Sequence, residues 1–277
     1  MTRNEFEEDV ISLSVDPESK MVAIPWTNYR MGQTPVTQRL YKKVMGVNPS
    51  YFQLNNSKFD DKQQGELGRN TANNPVEWVS WYDAVYFCNK LSMLEGLTPA
   101  YSVDGKTDPE SWGYTPHLGK SIDSDVDCDF NANGYRLPSN DEWDKAINGD
   151  ESYTYSGSDD LDEVGWYKDN SNNVTHPVAQ KMANEYGLYD MSGNVWEWVW
   201  GTDPDIPRSS LITLPTASSA VVAFTTAPAT ARCPTIAPPA RTTGAMTLVF
   251  ASCAPRLACN RPCRWKAGIG AEYVPLC

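Results

Sequence analysis

Apolar and polar residues alternate through residues 187–200, which read GLYDMSGNVWEWVW. Trp196, Trp198 and Trp200 fall two apart. Period two is a strand signature and turns the three indoles to one face. Each indole removes a large apolar area from water, so that face reads as a core wall. Glu197 falls on the other face, toward the turn of Ser192, Gly193 and Asn194. Elsewhere the period is helical. Thr37 is placed to cap a helix, Leu40, Tyr41, Val44 and Met45 form its apolar stripe, and Gly46 ends it. Val76 and Val79 predict a short strand. Ser80 caps a second helix with Asp83 in its first turn. Trp81, Ala84, Val85, Cys88 and Leu91 recur at helical spacing, which makes Cys88 a buried structural thiol. Tyr135 and Leu137 end a further strand at Pro138. Ser139 and Glu142 then form a capping box for a third, short helix carrying Trp143 and Ala146.

The intervening segments are polar. Residues 1–23 read as an N-terminal arm, 53–74 as a loop, and 103–133 as a long loop with room for a hairpin. Asp123, Asp125, Asp127 and Asp129 alternate around Cys128; this spacing allows a hard cation but suits a solvated acidic loop better. The pattern fits no repeat, bundle or doubly wound sheet. Two or three helices, many short strands and long loops predict an irregular α+β domain.

Charge narrows the partners. The net charge of −12 argues against nucleic acid or an anionic membrane surface as the main partner. No run of eighteen apolar residues predicts a membrane span. The polar start MTRNEFEEDV carries no export signal, so the chain reads as cytoplasmic as written, and as exported if a leader precedes it. There is no phosphate-cradling glycine loop and no Gly-x-Ser-x-Gly elbow. The only histidines, His117 and His176, are too few for multi-histidine metal chemistry and argue against a Ser/His/Asp triad. His176, before Pro177, reads as a structural loop residue.

Composition also breaks sharply along the chain. Of 35 acidic residues, 34 lie at or before Asp205. Residues 206–271 hold none, yet carry seven Lys or Arg and much Ala, Pro and Thr. Five of the seven cysteines (Cys233, Cys253, Cys259, Cys263 and Cys277) follow the break. Residues 201–277 therefore read as an aberrant, mostly disordered tail.

Six segments in order carry a family resemblance over residues 24–200: MGQTPVTQRLYKKVMGVNPSYF, NPVEWVSWYDAVYFCNKLS, GYRLPSNDEWDKA, GWY, HPV and NEYGLYDMSGNVWEW. Together they resemble the formylglycine-generating enzyme, or sulfatase-modifying factor, family. The resemblance implies a C-type-lectin-like α+β fold with little regular secondary structure, of the kind that stands alone as one bacterial domain. It also implies a Ca²⁺ site at the Gly-Asn-x-Trp-Glu turn, with backbone oxygens from Ser192, Gly193 and Val195 and the carboxylate of Glu197 as ligands. Oxygen donors of this kind suit a hard cation.

The family's enzymes oxidise a cysteine of a sulfatase to formylglycine, with Cu(I) held by two cysteines near the C-terminus, a soft ion on soft ligands. Their closing phrases, Arg-Gly-Gly-Ser and Gly-Phe-Arg, are absent after Trp200. A shifted reading frame accommodates them. Val221-Val222-Ala223-Phe224 permits Gly-Gly-Gly-Phe, the Met246–Thr247 junction must encode Asp, and residues 247–254 then permit Leu-Gly-Phe-Arg. The tail is thus expected to be frameshifted from about residue 201, leaving no catalytic residues and an inactive chain. For the intact parent two readings stand. One is an oxidase acting on a sulfatase. The other is a non-catalytic, lectin-like surface module of the diversified variable-protein type, with a protein or glycan ligand.

Overall fold

The computed structural model describes residues 20–54, 61–68, 70–118 and 122–200, together with the backbone of the strand Ser209–Ile212. The expectations for residues 1–19 of the arm and for most of the tail lie outside these residues; the end of the arm, Met21–Ala23, forms a strand.

Three two-stranded antiparallel sheets form the strand content of the described residues. Strand β1 (Met21–Ala23) pairs with β2 (Arg30–Gly32), β3 (Tyr101–Val103) with β4 (Val126–Cys128), and β5 (Glu197–Trp200) with β6 (Ser209–Ile212). The β3–β4 pair is the hairpin for which residues 103–133 left room. Pairing aligns Tyr101 with Cys128 and Val103 with Val126.

The helices begin where capping chemistry places them. Thr37 Oγ1 accepts from Leu40 N–H at 3.2 Å to open α1 (Gln38–Met45). Gly46, at φ 80°, closes it by donating to Lys42 O at 2.8 Å. A reciprocal Ser80–Asp83 box, 3.0 and 2.8 Å, starts the long helix reaching Leu94. Ser139 and Glu142 repeat the device, 3.2 and 2.8 Å, ahead of a helix over Asn140–Asn148. A short helix, Asp61–Glu66, falls in the segment read as loop; its sequence DKQQGE has no apolar stripe to announce it. These helices are α2 (Asp61–Glu66), α3 (Trp81–Leu94) and α4 (Asn140–Asn148), and α5 is the single turn Leu161–Val164.

Two predicted strands are not formed. Val76 and Val79 are buried, but their segment does not build a ladder: Val76 N–H donates to Val36 O at 2.8 Å and Glu77 N–H to Ser50 Oγ at 3.2 Å. Tyr135 N–H donates to Ser92 Oγ and Leu137 N–H to Tyr101 Oη, each at 2.8 Å. A single backbone carbonyl at Val76, and individual side chains at Glu77, Tyr135 and Leu137, satisfy these N–H groups where a neighbouring strand otherwise would.

Two apolar clusters make the core. The larger gathers α1, α3, the β3–β4 hairpin, Trp198 and Trp200. Within it Tyr41 stacks on Phe87 with centroids 5.1 Å apart, and Trp200 lies 5.3 Å from Trp81 and 5.2 Å from Tyr101. The smaller joins Ile24, Tyr29 and Met31 to Trp143, Ala146 and Ile147 of α4 and to Leu188, Met191 and Val199. Strand β5 runs between them, and all four of its residues are buried. This corrects the one-faced reading of the Trp ladder. Trp198 and Trp200 line the larger cluster, Val199 lines the smaller, and Trp196 precedes the strand and is half-buried. A strand covered on both faces has no solvent side to which Glu197 could turn.

Candidate functional site

The turn before β5 is assembled by side chains that bond to backbone. Asn194 sits in the left-handed region at φ 59°, a conformation its short polar side chain tolerates. Its Nδ2 donates to His176 O at 3.0 Å, and His176 N–H donates back to Asn194 Oδ1 at 3.1 Å. Asn194 N–H donates to Trp166 O at 2.7 Å. Gly193, at φ 111°, lies so close to Trp166 that a Cβ there would stand 2.3 Å from the Trp166 carbonyl oxygen. Only glycine fits that approach. Ser192 is buried, and its hydroxyl accepts from Ser156 N–H at 3.0 Å. Its carbonyl oxygen packs against Gly165, where a Cβ would come within 2.1 Å.

Asp190 and Asn184 support the turn from below. Asp190 accepts from Ala179 N–H at 2.8 Å and from Asn194 Nδ2 at 3.3 Å. Burial pushes its carboxyl up to about 6, against the pull of those two donors. Asn184 Nδ2 donates to Ala146 O at 2.8 Å and to Ser156 Oγ at 3.0 Å. Its Oδ1 accepts from Tyr186 and Leu188 N–H at 3.0 and 3.1 Å. His176 stacks on Trp166 with centroids 3.8 Å apart, and Lys181 Nζ lies 4.3 Å from the indole centroid. Burial lowers the His176 pKa, while its bond to Ser171 O raises it.

Ser192, Gly193 and Val195 all stand on this turn. Their carbonyls are constrained: Val195 N–H donates to Gly193 O at 2.7 Å. Glu197 is drawn inward, only 4 % exposed, where Trp143 Nε1–H of α4 donates to its Oε2. Glu197 lies opposite Trp198 and Trp200, as the alternation implies, but the face it occupies is an interior one, shared with Val199 and Trp143. Sequence reasoning placed Asn194 in the turn but missed its bonds, and missed the supporting set of Asn184, Asp190 and the Trp166–His176 stack. One signal was present: an Asn after Gly, directly before a strand, marks a left-handed turn position.

For Ca²⁺, the donor set is consistent in chemistry. A nearby hard cation would compensate a carboxylate buried beside a neutral indole donor, and the backbone oxygens of Ser192, Gly193 and Val195 would be its further ligands. For Cu(I), Cys88 does not fit. Cys88 is fully buried, and burial pushes its thiol well up, which disfavours the thiolate a soft ion needs. Five of the other cysteines lie outside the described residues. Among the described residues no group of three or more His, Cys, Asp or Glu is placed to hold a metal, the 123–129 acidic run included. No described helix is long and apolar enough to cross a membrane.

Comparison with known proteins adds the lineage. The chaperone protein LppX of Paenibacillus barcinonensis is 37% identical over 207 residues, 66% of this chain and 66% of that protein. The formylglycine-generating enzyme of Mycobacterium tuberculosis is 37% identical over 79 residues, 24% of this chain and 26% of the enzyme. The chain thus spans about two thirds of the first relative and a quarter of the second. Among solved structures, Treponema denticola variable protein 1 superposes with a TM-score of 0.54 at 32% identity, over 68% of this chain and 71% of that one. CarF superposes with a TM-score of 0.55 at 22% identity, over 82% and 87%, a likeness of fold. The domain family described as sulfatase-modifying factor enzyme 1-like matches residues 4–231. The chain belongs to that family, which is the formylglycine-generating enzyme family of the sequence resemblance.

Proposed function

We propose that this chain is a non-catalytic, ligand-binding member of the family, built on a C-type-lectin-like scaffold and holding Ca²⁺ at the Ser192–Glu197 turn. The observation that carries the reading is the likeness to Treponema denticola variable protein 1, which spans 68% of the chain, against 24% for the mycobacterial enzyme. The sequence adds support, since the phrases that surround the enzymes' copper cysteines are absent after Trp200. The ligand class is a protein or glycan surface. Residues from about 201 onward are read as a frameshifted version of the family ending.

Bound Ca²⁺ supplies positive charge to a buried carboxylate. The chain's part is to present Glu197 from a strand fixed between two clusters, and to hold the Ser192, Gly193 and Val195 carbonyls through Asn194. The test is a thermal melt of the full chain with excess Ca²⁺, beside the Glu197→Gln variant. A ligand that prefers the native state raises Tm. The wild type should gain several degrees and the variant none; equal Tm with and without Ca²⁺ removes the metal. Incubation with Cu(I), oxygen and a sulfatase-type cysteine peptide should leave the peptide unchanged by mass spectrometry. Formylglycine in that peptide overturns the non-catalytic reading. Sequencing the gene across codons 195–225 decides the frame, an uninterrupted frame being the adverse result.

A further inference from the structure

A second site lies on other elements. The C-terminal end of α1, the residues that follow it and the segment before residue 118 line an open cleft of about 390 Å³ against α3. Its walls are apolar, from Met45, Val47, Pro49 and Pro116, with Tyr86 of α3 beside them. Two nitrogen-bearing side chains complete the lining, Lys90 and His117. The size falls at the lower end of the range for small-molecule sites, and mostly apolar walls with few polar groups are their usual make-up.

The His117 wall is held in place with unusual care. Its backbone is left-handed at φ 64°, a region uncommon outside glycine but one that His adopts more readily than most residues. Asp83, 2 % exposed, bonds it in place. Asp83 Oδ1 accepts from His117 N–H at 3.0 Å and from Tyr114 Oη–H at 2.9 Å. Asp83 Oδ2 lies 3.6 Å from His117 Nδ1, and accepts from Ser80 N–H and Ser80 Oγ–H, each at 2.8 Å. On the far side His117 Nε2 lies 3.2 Å from the buried Tyr41 hydroxyl. Both ring nitrogens thus face the protein, and the ring serves the cavity as a flat wall. The charge in the cavity comes from Lys90. Its ammonium makes one loose contact, 3.9 Å to Glu110, whose side chain is 71% exposed.

We infer that this cavity binds a small organic anion with a flat apolar body, the body between Val47, Pro49, Pro116 and the His117 ring, the anionic group on Lys90 Nζ. Charges beyond about 8 Å are screened at physiological salt, so the chain's net charge of −12 acts weakly here. The local charges are the Lys90 ammonium and, near Tyr86, the carboxylates of Asp108 and Glu110, from the second of which an incoming anion would take over Lys90. The apolar walls supply affinity through surface removed from water, and the charged contact selects the anion over a neutral analogue.

The test is isothermal titration of the full chain with naphthalene-2-carboxylate, in parallel with the neutral naphthalene-2-methanol. The carboxylate should bind saturably to one site. Lys90→Gln should weaken it roughly tenfold and abolish the preference over the alcohol. Val47→Asp, at an exposed rim position, should weaken both probes. Unchanged melting curves certify that each variant is folded. The inference falls if the carboxylate gives no saturable isotherm below the millimolar range. It falls equally if Lys90→Gln leaves affinity within about twofold of wild type. A null Ca²⁺ melt does not bear on this site, so the two readings fail separately.

Discussion

The α1–α3 region and the 165–195 region are both buried, but they are held by different forces. In the first, apolar rings and aliphatic side chains interlock on helices with capped ends. In the second, the chain follows no regular element after α5, and polar side chains bond one by one to backbone groups. Non-directional burial tolerates exchange of one apolar residue for another. A set of directional bonds tolerates little, because each donor removed leaves a buried acceptor unmet. The contrast predicts that single polar residues in the second region matter nearly as much as core aromatics in the first.

Phe87→Ala sets the scale. It removes a fully buried ring stacked on Tyr41 and should cost about 4 kcal/mol in urea unfolding. Asn194→Ala then tests the contrast. It deletes the side chain's bonds to both His176 backbone groups and to Asp190, and should cost about 3 kcal/mol. A loss under about 1 kcal/mol would erase the distinction between the two regions.

Glu77 sharpens the comparison, because it brings the second kind of holding into the first region. Its carboxylate accepts from Tyr51 and Phe52 N–H, each at 2.9 Å, and burial pushes its pKa up to about 7. Asp190 plays the matching part beneath the turn. A raised carboxyl pKa means that the folded state binds more protons than the unfolded one in between. Stability is therefore greatest at low pH and falls as pH rises through the folded pKa. For Glu77 that window runs from about 4.5 to about 7, with a loss on the order of 3 kcal/mol across it. Glu77→Gln should flatten the fall measured by urea titration at successive pH values; an unchanged slope would contradict the assignment. The smallest expected effect is Thr37→Ala, which removes the cap of α1 and should cost about 1 kcal/mol.

What could be read in advance divides along the same line. Helix starts were legible because Thr37, Ser80 and Ser139 bond residues three positions away, inside the window that a local pattern covers. The burial of Cys88 followed from helical spacing. Distant partners were not legible. Ser92 serves Tyr135 across 43 residues, and Asn74 Nδ2 donates to Thr175 O across 101. No periodicity encodes such pairs. The two strands that failed to form, near Val79 and Leu137, failed for this reason. Period two placed Glu197 opposite Trp198 and Trp200, where it lies, but could not say that both faces are covered.

The burial of β5 on both sides has a dynamic consequence. Each cluster touches the other through that strand, so neither can open to solvent alone without stripping one face of Glu197–Trp200. The amide protons of Trp198 and Val199 should therefore be among the slowest in the chain to exchange with deuterium, released only when the whole domain unfolds.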